Sequence, residues 1–466
     1  MSTGAAPRLW RHRDFMLLWA GQSVSELGSA VTLLAVPLTA VVVLHASTFG
    51  VGLLSAASTV PFLLIALPAG LIVDRMAKRR LMIGCDVARM LVIGSVPASA
   101  AFGVLTLGQL YAVAVLAGIL TVLFDVAYQS YLPELIRADQ LTDGNGKLAV
   151  TQSVAQVAGP GAGGALFGLL RAGALTVDAL SYAVSAASLL LIRTREPGRV
   201  AAARAAVQAT GGPPGGPAEG PAPARPRLRT ELFAGLSFVV RHPVLRKIAA
   251  CTGTANLFGN MTFALEIVFL VRVLRVPAAG TGLLISAGSV GGVVAGLSAG
   301  PLSRWIGSAR IIWVSMLGFG VLGLLLPLAE PGWRLAFFVV GFAASSFSAV
   351  LYNIAQVSFR QAICPPALLG RMNAAVRWIV WGTLPLGGLA GGALGSAIGV
   401  RPTLWIGMTG AWAAGLWLLF SPLRGMRDVP VPGQPTDSQS TDSEPTDSPA
   451  TLGEPLPAGG GERRKQ

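Results

Sequence analysis

The sequence is poor in charge: only 12% of its 466 residues are Asp, Glu, Lys or Arg, where an ordinary soluble domain carries about 25%. A soluble chain of this size needs charged side chains to cover its surface, so water is excluded as its main solvent. Cysteine is scarce, and Cys85, Cys251 and Cys364 stand far apart with no CxxC and no metal-ligand spacing, which argues against a disulfide framework. The three histidines, His12, His45 and His242, are too dispersed for a metal site; neither metal nor cofactor is expected. A nucleophile elbow, a phosphate loop and a metal cluster are all missing, so an enzyme is not expected. Period-2 alternation is missing too, which disfavours a membrane β-barrel.

What is present is apolar sequence in long runs: 53% of residues are hydrophobic and the mean hydropathy is +0.64. The runs lie at 15–45, 48–73, 81–101, 107–131, 147–170 and 174–192, then at 246–270, 280–302, 310–328, 335–358, 375–399 and 402–422. Each is close to the ~20 residues that cross a ~30 Å hydrocarbon core as a helix, where only helices or closed barrels satisfy their own backbone. The expected fold is therefore an all-α integral membrane protein of twelve transmembrane helices. Residues 1–14 are polar and basic, and the run after them is too long for a signal peptide, so no cleavable signal is expected. The expected layout is a cytoplasmic N-terminus at 1–14, a bundle at 15–194, a linker at 195–240, a second bundle at 241–424 and a tail at 425–466. The linker is rich in Ala, Gly and Pro and the tail contains TDSQSTDSEPTDS; both read as disordered.

The net charge of +14 does not point to nucleic acid, because the arginines are spread between apolar runs rather than gathered in one patch. They alternate instead. Arg8, Arg11 and Arg13 precede span 1; Arg75, Lys78, Arg79 and Arg80 follow span 2; Arg137 and Lys147 follow span 4; Arg304 and Arg310 follow span 8; Arg360 and Arg371 follow span 10; Arg424 and Arg427 follow span 12. The other loops hold only Arg171, Arg272, Arg275, Arg334 and Arg401. By the positive-inside rule both termini and the linker are cytoplasmic, with Arg272 and Arg275 the one exception. Scarce lysine with abundant Ala, Gly and Pro suggests a GC-rich bacterial source, hence the bacterial plasma membrane.

The chain also repeats. GPGAGGAL at 159–166 and GGLAGGAL at 387–394 are offset by 228 residues, as are Asn145 with Asn373 and Leu141 with Leu369; GLIVDRMAKRR from Gly70 matches GPLSRWIGSAR from Gly300. Two pseudo-symmetric six-helix bundles with a substrate site between them form an architecture of secondary transporters.

GLIVDRMAKRR resembles the loop signature of the major facilitator superfamily, with Gly70, Asp74, Arg75, Lys78 and Arg79 in register and Ala77 in place of its second glycine. Read physically, Gly70 permits close helix approach, and Asp74 and Arg75 can join a charge clasp across the halves, with Arg377 as a candidate partner. Gly159, Pro160, Gly163 and Gly164 resemble the Gly-Pro-x-x-Gly-Gly element of the antiporter members, where proline bends the helix and glycine lets helices touch. FDVAYQSYLPEL, LTVDALSYAVSA and YNIAQVSFRQ with LLGRMNAAVRW are similar to the enterobactin-exporter-like and macrolide-efflux-like branch. That resemblance implies proton-driven export of a drug, siderophore or other natural product. One departure stands out: span 4 lacks the arginine of the better-known drug–proton antiporters, and Asp125 is its only charge.

An ionisable residue inside a membrane span costs at least ~2.5–3.5 kcal/mol and marks function by default. Glu26, Asp125, Asp178 and Glu266 are the proton-coupling candidates, with Glu26 first because its own helix holds no basic neighbour. Asp86 with Arg89, three residues apart, fits a structural pair. Gln22, Tyr128, Gln129, Asn256, Asn260, Tyr352, Asn353 and Gln356 are the candidate cavity residues. The expected protein exports an amphiphilic small molecule against protons, as a monomer in the lipid bilayer. An uptake symporter or facilitator on the same fold is the first rival. A membrane sensor is the second, disfavoured because the linker and tail are too poor in apolar residues to fold.

Overall fold

The computed structural model describes residues 9–194, 236–364 and 366–428; most of the expected linker and nearly all of the tail lie outside them. The described residues are helical almost throughout. The first set of helices is α1 Arg13–Leu38, α2 Thr48–Arg75, α3 Lys78–Ala101, α4 Leu107–Leu135, α5 Leu141–Leu170 and α6 Leu175–Leu191. The second is α7 Pro243–Val268, α8 Ala278–Ile306, α9 Arg310–Val314, α10 Leu335–Ile363, α11 Pro366–Ala397 and α12 Val400–Ala413. Nine continuous helical stretches among the described residues are long and apolar enough to cross a membrane. One of these, Leu141–Leu191, spans 51 residues and comprises α5 and α6, which meet at Arg171, where φ is 51°.

Side chains facing outward are apolar: Leu64, Leu91, Leu169 and Leu297 are each more than half exposed. In water such a surface aggregates, whereas in lipid it costs nothing. Inside each set the helices pack on one another, α1 on α5 and α6, α3 on α4 and α6, and likewise α7 on α11 and α12 and α8 on α10.

The internal repeat is visible in the helix ends. His12 caps α1 by accepting from Phe15 N at 3.2 Å. His242 caps α7, 230 residues later, by accepting from the Val244 and Leu245 amides at 3.3 Å. Burial pushes the His242 imidazole down, which keeps it neutral and able to accept. Past the far ends of α1 and α7, π-helical turns at Thr39–Val43 and Phe269–Val273 close through His45 and Arg275, which have φ of 51° and 56°. Their cap bonds match too, Ala46 N to Ala40 O at 2.8 Å and Val276 N to Leu270 O at 2.9 Å.

α9 breaks early into a π turn at Ser315–Phe319 and a 3-10 stretch at Gly320–Leu328. Carbonyls loosened by such a break must find partners in lipid. The Ser348 hydroxyl donates to Ser315 O at 2.7 Å and the Trp412 indole to Leu317 O at 3.1 Å.

The two sets meet through α2 with α11 and α5 with α8, at the end of the bundle away from the termini. A Cβ on Gly164 of α5 would stand 2.9 Å from the Cα of Gly282 on α8, and one on Gly392 of α11 would stand 2.9 Å from the Cα of Gly52 on α2. Backbones approach this closely only through glycine. The helix 5 element makes both kinds of contact: Gly159 and Gly163 pack on Ala30 and Val31 of α1, and Gly164 on α8. The amide of Gly161, next to Pro160, donates to Ser286 Oγ of α8 at 2.7 Å.

Candidate functional site

A polar cluster fills the interior of the first set where α1, α3, α4 and α6 converge. Helical spacing builds it: Asp86 and Arg89 are one turn apart on α3; Phe124, Asp125 and Tyr128 share a face of α4; Asp178, Ser181, Tyr182 and Ser185 share a face of α6. α1 contributes Gln22, Glu26, Ser29 and Thr32. Each is an amphipathic pattern turned inside out, polar toward the core and apolar toward lipid.

Asp178 is wholly buried. Thr32 Oγ1 donates to one of its oxygens at 2.5 Å and Ser181 Oγ to the other at 3.1 Å. One turn on, the Tyr182 hydroxyl pairs with Ser29 Oγ at 2.9 Å. Asp86 and Arg89 form a buried ion pair, and the guanidinium carbon lies 4.3 Å from the ring centres of both Phe124 and Tyr182. Asp125 and Glu26 are partly buried and lie within electrostatic reach of each other and of Tyr128. Gln22 Nε2 donates to Glu26 at 3.0 Å, and the buried Tyr128 hydroxyl has no hydrogen-bond partner among the described residues while its ring stacks on Phe124.

The clasp expected between Asp74 and Arg377 falls on a side chain, that of Asp74, outside the described residues; the Arg377 guanidinium lies 5.4 Å from the Trp381 ring centre and within reach of Asp125. Two expectations need correction. Gly70 was expected at a close helix approach, yet a Cβ there would meet open space among the described residues, because the close crossings lie at the other end of α2. Tyr352 was expected in the cavity. It is buried in the packing of the second set, its hydroxyl 2.7 Å from Thr252 Oγ1.

Two residues of the signature loop have described partners within their own set. Lys78 pairs with Glu134 of α4, and Arg79 donates to the terminal carbonyls of α6, Leu189 O at 2.7 Å and Leu190 O at 2.8 Å. A cation at a helix C-terminus also complements its dipole. Arg75 is exposed.

In the second set, Asn256 and Asn260 reach from α7 to Val380 O at 3.2 Å and Leu384 O at 2.6 Å, one turn apart on α11. Asn260 also approaches Ser55 Oγ of α2 at 3.5 Å. Gln356 is buried and donates to the exposed Asn353; Gln129 is exposed. Glu266 is buried, with Oε1 unpartnered and no acid or base beside it among the described residues. No group of three or more His, Cys, Asp or Glu side chains suited to a metal occurs among the described residues. What sequence reasoning missed is the centrality of Asp86–Arg89. Their spacing shows the pair, but only the packing of α4 and α6 reveals its neighbours.

The sequence signature of the Major Facilitator Superfamily matches residues 18–384. Among characterised relatives, the multidrug efflux pump Tap of Mycolicibacterium fortuitum is 25% identical over 388 residues, 81% of this chain and 88% of that protein. Macrolide efflux protein A of Streptococcus pyogenes is 29% identical over 189 residues, 40% of this chain and 45% of that one. Among solved structures, a mutant form of the nucleoside transporter NupG superposes with a TM-score of 0.70 at 11% identity, covering 87% of this chain and 99% of that one; this likeness shows the fold. With twofold-repeated helices, an outer surface suited to lipid and this match across most of its length, the chain belongs to the Major Facilitator Superfamily and is a multi-pass membrane transporter of small molecules.

Proposed function

We propose that this transporter exports an amphiphilic small molecule of the drug or natural-product class across a bacterial plasma membrane, in exchange for protons. Both termini are taken as cytoplasmic on the positive-inside pattern. The similarity to two efflux proteins supports the direction. The observation that carries the coupling is the pairing of Glu26 on α1 with Asp125 on α4, two acids within reach of each other, with Asp125 also within reach of Arg377 on the opposite set. When the halves rock, Arg377 moves relative to Asp125. A carboxylate that gains or loses a cationic neighbour changes its hold on a proton, and a cationic amphiphile entering the same space competes for the same charge. The Trp381 ring, edge-on to Phe62 with centroids 5.1 Å apart, adds an apolar wall.

The test is transport in inverted membrane vesicles, using erythromycin as the probe macrolide. Wild type should accumulate it under an inward-acid pH gradient and stop when the gradient is collapsed. Glu26→Gln and Asp125→Asn should each lose at least about tenfold of gradient-driven accumulation, the order expected of a missing proton-transfer group. Full gradient-driven accumulation by both variants would sink this assignment, and net outward movement from inverted vesicles would establish the uptake reading instead.

A further inference from the structure

We propose that Arg89 is the positioning residue of proton coupling, a single buried guanidinium shared by Asp86, Asp125 and Asp178 whose choice of partner decides which acid gives up its proton. This rests on the reading of the chain as proton-coupled.

Arg89 is 4% exposed and Asp86 is fully buried. A purely structural pair in that position is expected to have its remaining hydrogen-bonding capacity filled. On the arginine it is not: Arg89 Nε lacks a hydrogen-bond partner among the described residues, while Asp86 is also bonded by the Ser185 hydroxyl. The guanidinium sits in a slot between Phe124 and Tyr182, and each ring brings an acid with it. Asp125 follows Phe124 directly, and Asp178 is one helical turn before Tyr182. Both acids are within electrostatic reach of Arg89. A slot made of π-faces attracts the cation without fixing its direction, so the guanidinium can pivot without leaving it.

The charge balance shows why sharing matters. The titratable and charged groups around Arg89 are Asp86, Cys85, Asp125, Asp178 and Tyr182, with Glu26 and Arg377 beyond Asp125. Asp86 and Asp178 are both buried against one cation, and an uncompensated buried charge is expensive. Neutrality of that inner group therefore requires one proton on one acid. A cation favours the ionised form of whichever carboxylate it faces. When Arg89 turns from Asp86 toward Asp125 or Asp178, the O–H bond of the acid it approaches breaks and the proton leaves to water. Asp86 takes a proton from water and forms an O–H bond in its place, so the number of bound protons is unchanged, and Arg89 keeps its charge throughout. Thr32 and Ser181 hold Asp178 by hydroxyls, which donate or accept, so that acid stays bonded in either form.

Infrared titration of the protein in liposomes reads the protonated-carboxyl band without needing a known substrate. Wild type should show a buried carboxyl that titrates, removed by Asp178→Asn or Asp125→Asn. Arg89→Lys keeps the charge but not the fork, and should move the titration midpoint by about one pH unit, about tenfold in proton affinity. Asp86→Asn with Arg89→Gln, a neutral pair of similar size, should lose at least about tenfold of gradient-driven erythromycin accumulation. A wild-type midpoint in Arg89→Lys, or undiminished gradient-driven accumulation in the double variant, overturns the proposal. If the double variant fails to insert, the Arg89→Lys midpoint alone decides. Absence of any titrating buried carboxyl in wild type overturns the proton-coupled reading itself, which separates the two failures.

Discussion

Arg272, at the end of α7, donates a 2.6 Å hydrogen bond to the carbonyl oxygen of Ala46 in the loop between α1 and α2, joining the two halves. The same nitrogen reaches Val41 O at 3.4 Å. This gives a physical role to the one loop whose arginines break the charge alternation: Arg272 spans the seam at the end away from the termini. Its pseudo-equivalent 230 residues earlier is Val42, so the tie is made from one side only.

Removing it should favour the state open at that end. A charged hydrogen bond at an exposed site contributes about 1 kcal/mol, so Arg272→Ala should shift the equilibrium about fivefold. The readout is the rate at which an impermeant maleimide labels Ser55→Cys, placed at the seam beside Asn260. The native cysteines are buried. An unchanged labelling rate would show that the bond does not hold the seam.

Gly282 offers a sharper perturbation of the same closure. A Cβ there would collide with Pro160 O and with Gly164, and overpacking of this kind costs about 1–3 kcal/mol. Gly282→Val should cut transport at least tenfold and raise Ser55→Cys labelling. Gly296→Val lies on the same helix facing open space and should behave as wild type. Equal loss in both variants would point to general misfolding instead.

Arg79 separates two roles of the signature loop. As a cap on the terminal carbonyls of α6, it should cost Arg79→Ala about 1–2 kcal/mol, or roughly 1–3 °C in detergent melting. The labelling rate at Ser55→Cys should not change. A changed rate with an unchanged melting temperature would mean that Arg79 acts between the halves.

Asp428 ties the chain after α12 to the loop between α8 and α9. The Ser308 amide and hydroxyl donate to it at 2.9 and 3.1 Å, and the amide bond is the main reason its carboxyl sits below the usual 3.8. A lowered folded-state value means the contribution is fully present above the ordinary Asp range and is lost as pH falls through the lowered value. Asp428→Ala should therefore melt slightly below wild type at pH 7, by up to about 1 °C for so exposed a group. The difference should close on acidification below 3.8. A difference that persists there would assign it to something other than the ionised carboxylate.

Much of the fold is legible from solvent preference alone. The apolar runs, the alternation of arginine and the glycine repeat each follow from local physics: segment length against bilayer thickness, charge against membrane potential, and close approach against side-chain bulk. The site is less legible. Asp178 looks marginal in the sequence because it stands near a helix end, and becomes a buried, hydroxyl-held acid only because Gly28 lets α1 come against α6. Tyr352 looks like a cavity residue by type, but helix rotation turns it inward.

The sequence by itself determined that this chain crosses a membrane repeatedly, in two related halves with glycine seams, because those properties depend on composition and spacing along one helix at a time. Only the tertiary structure decided which charges meet. Arg89 and Asp86 are neighbours in the chain, but their relation to Asp125 and Asp178 depends on how α3 packs on α4 and α6. The reach of Arg272 to Ala46 likewise spans 226 residues of chain. Such pairings depend on helix rotation and register, which local periodicity leaves undetermined.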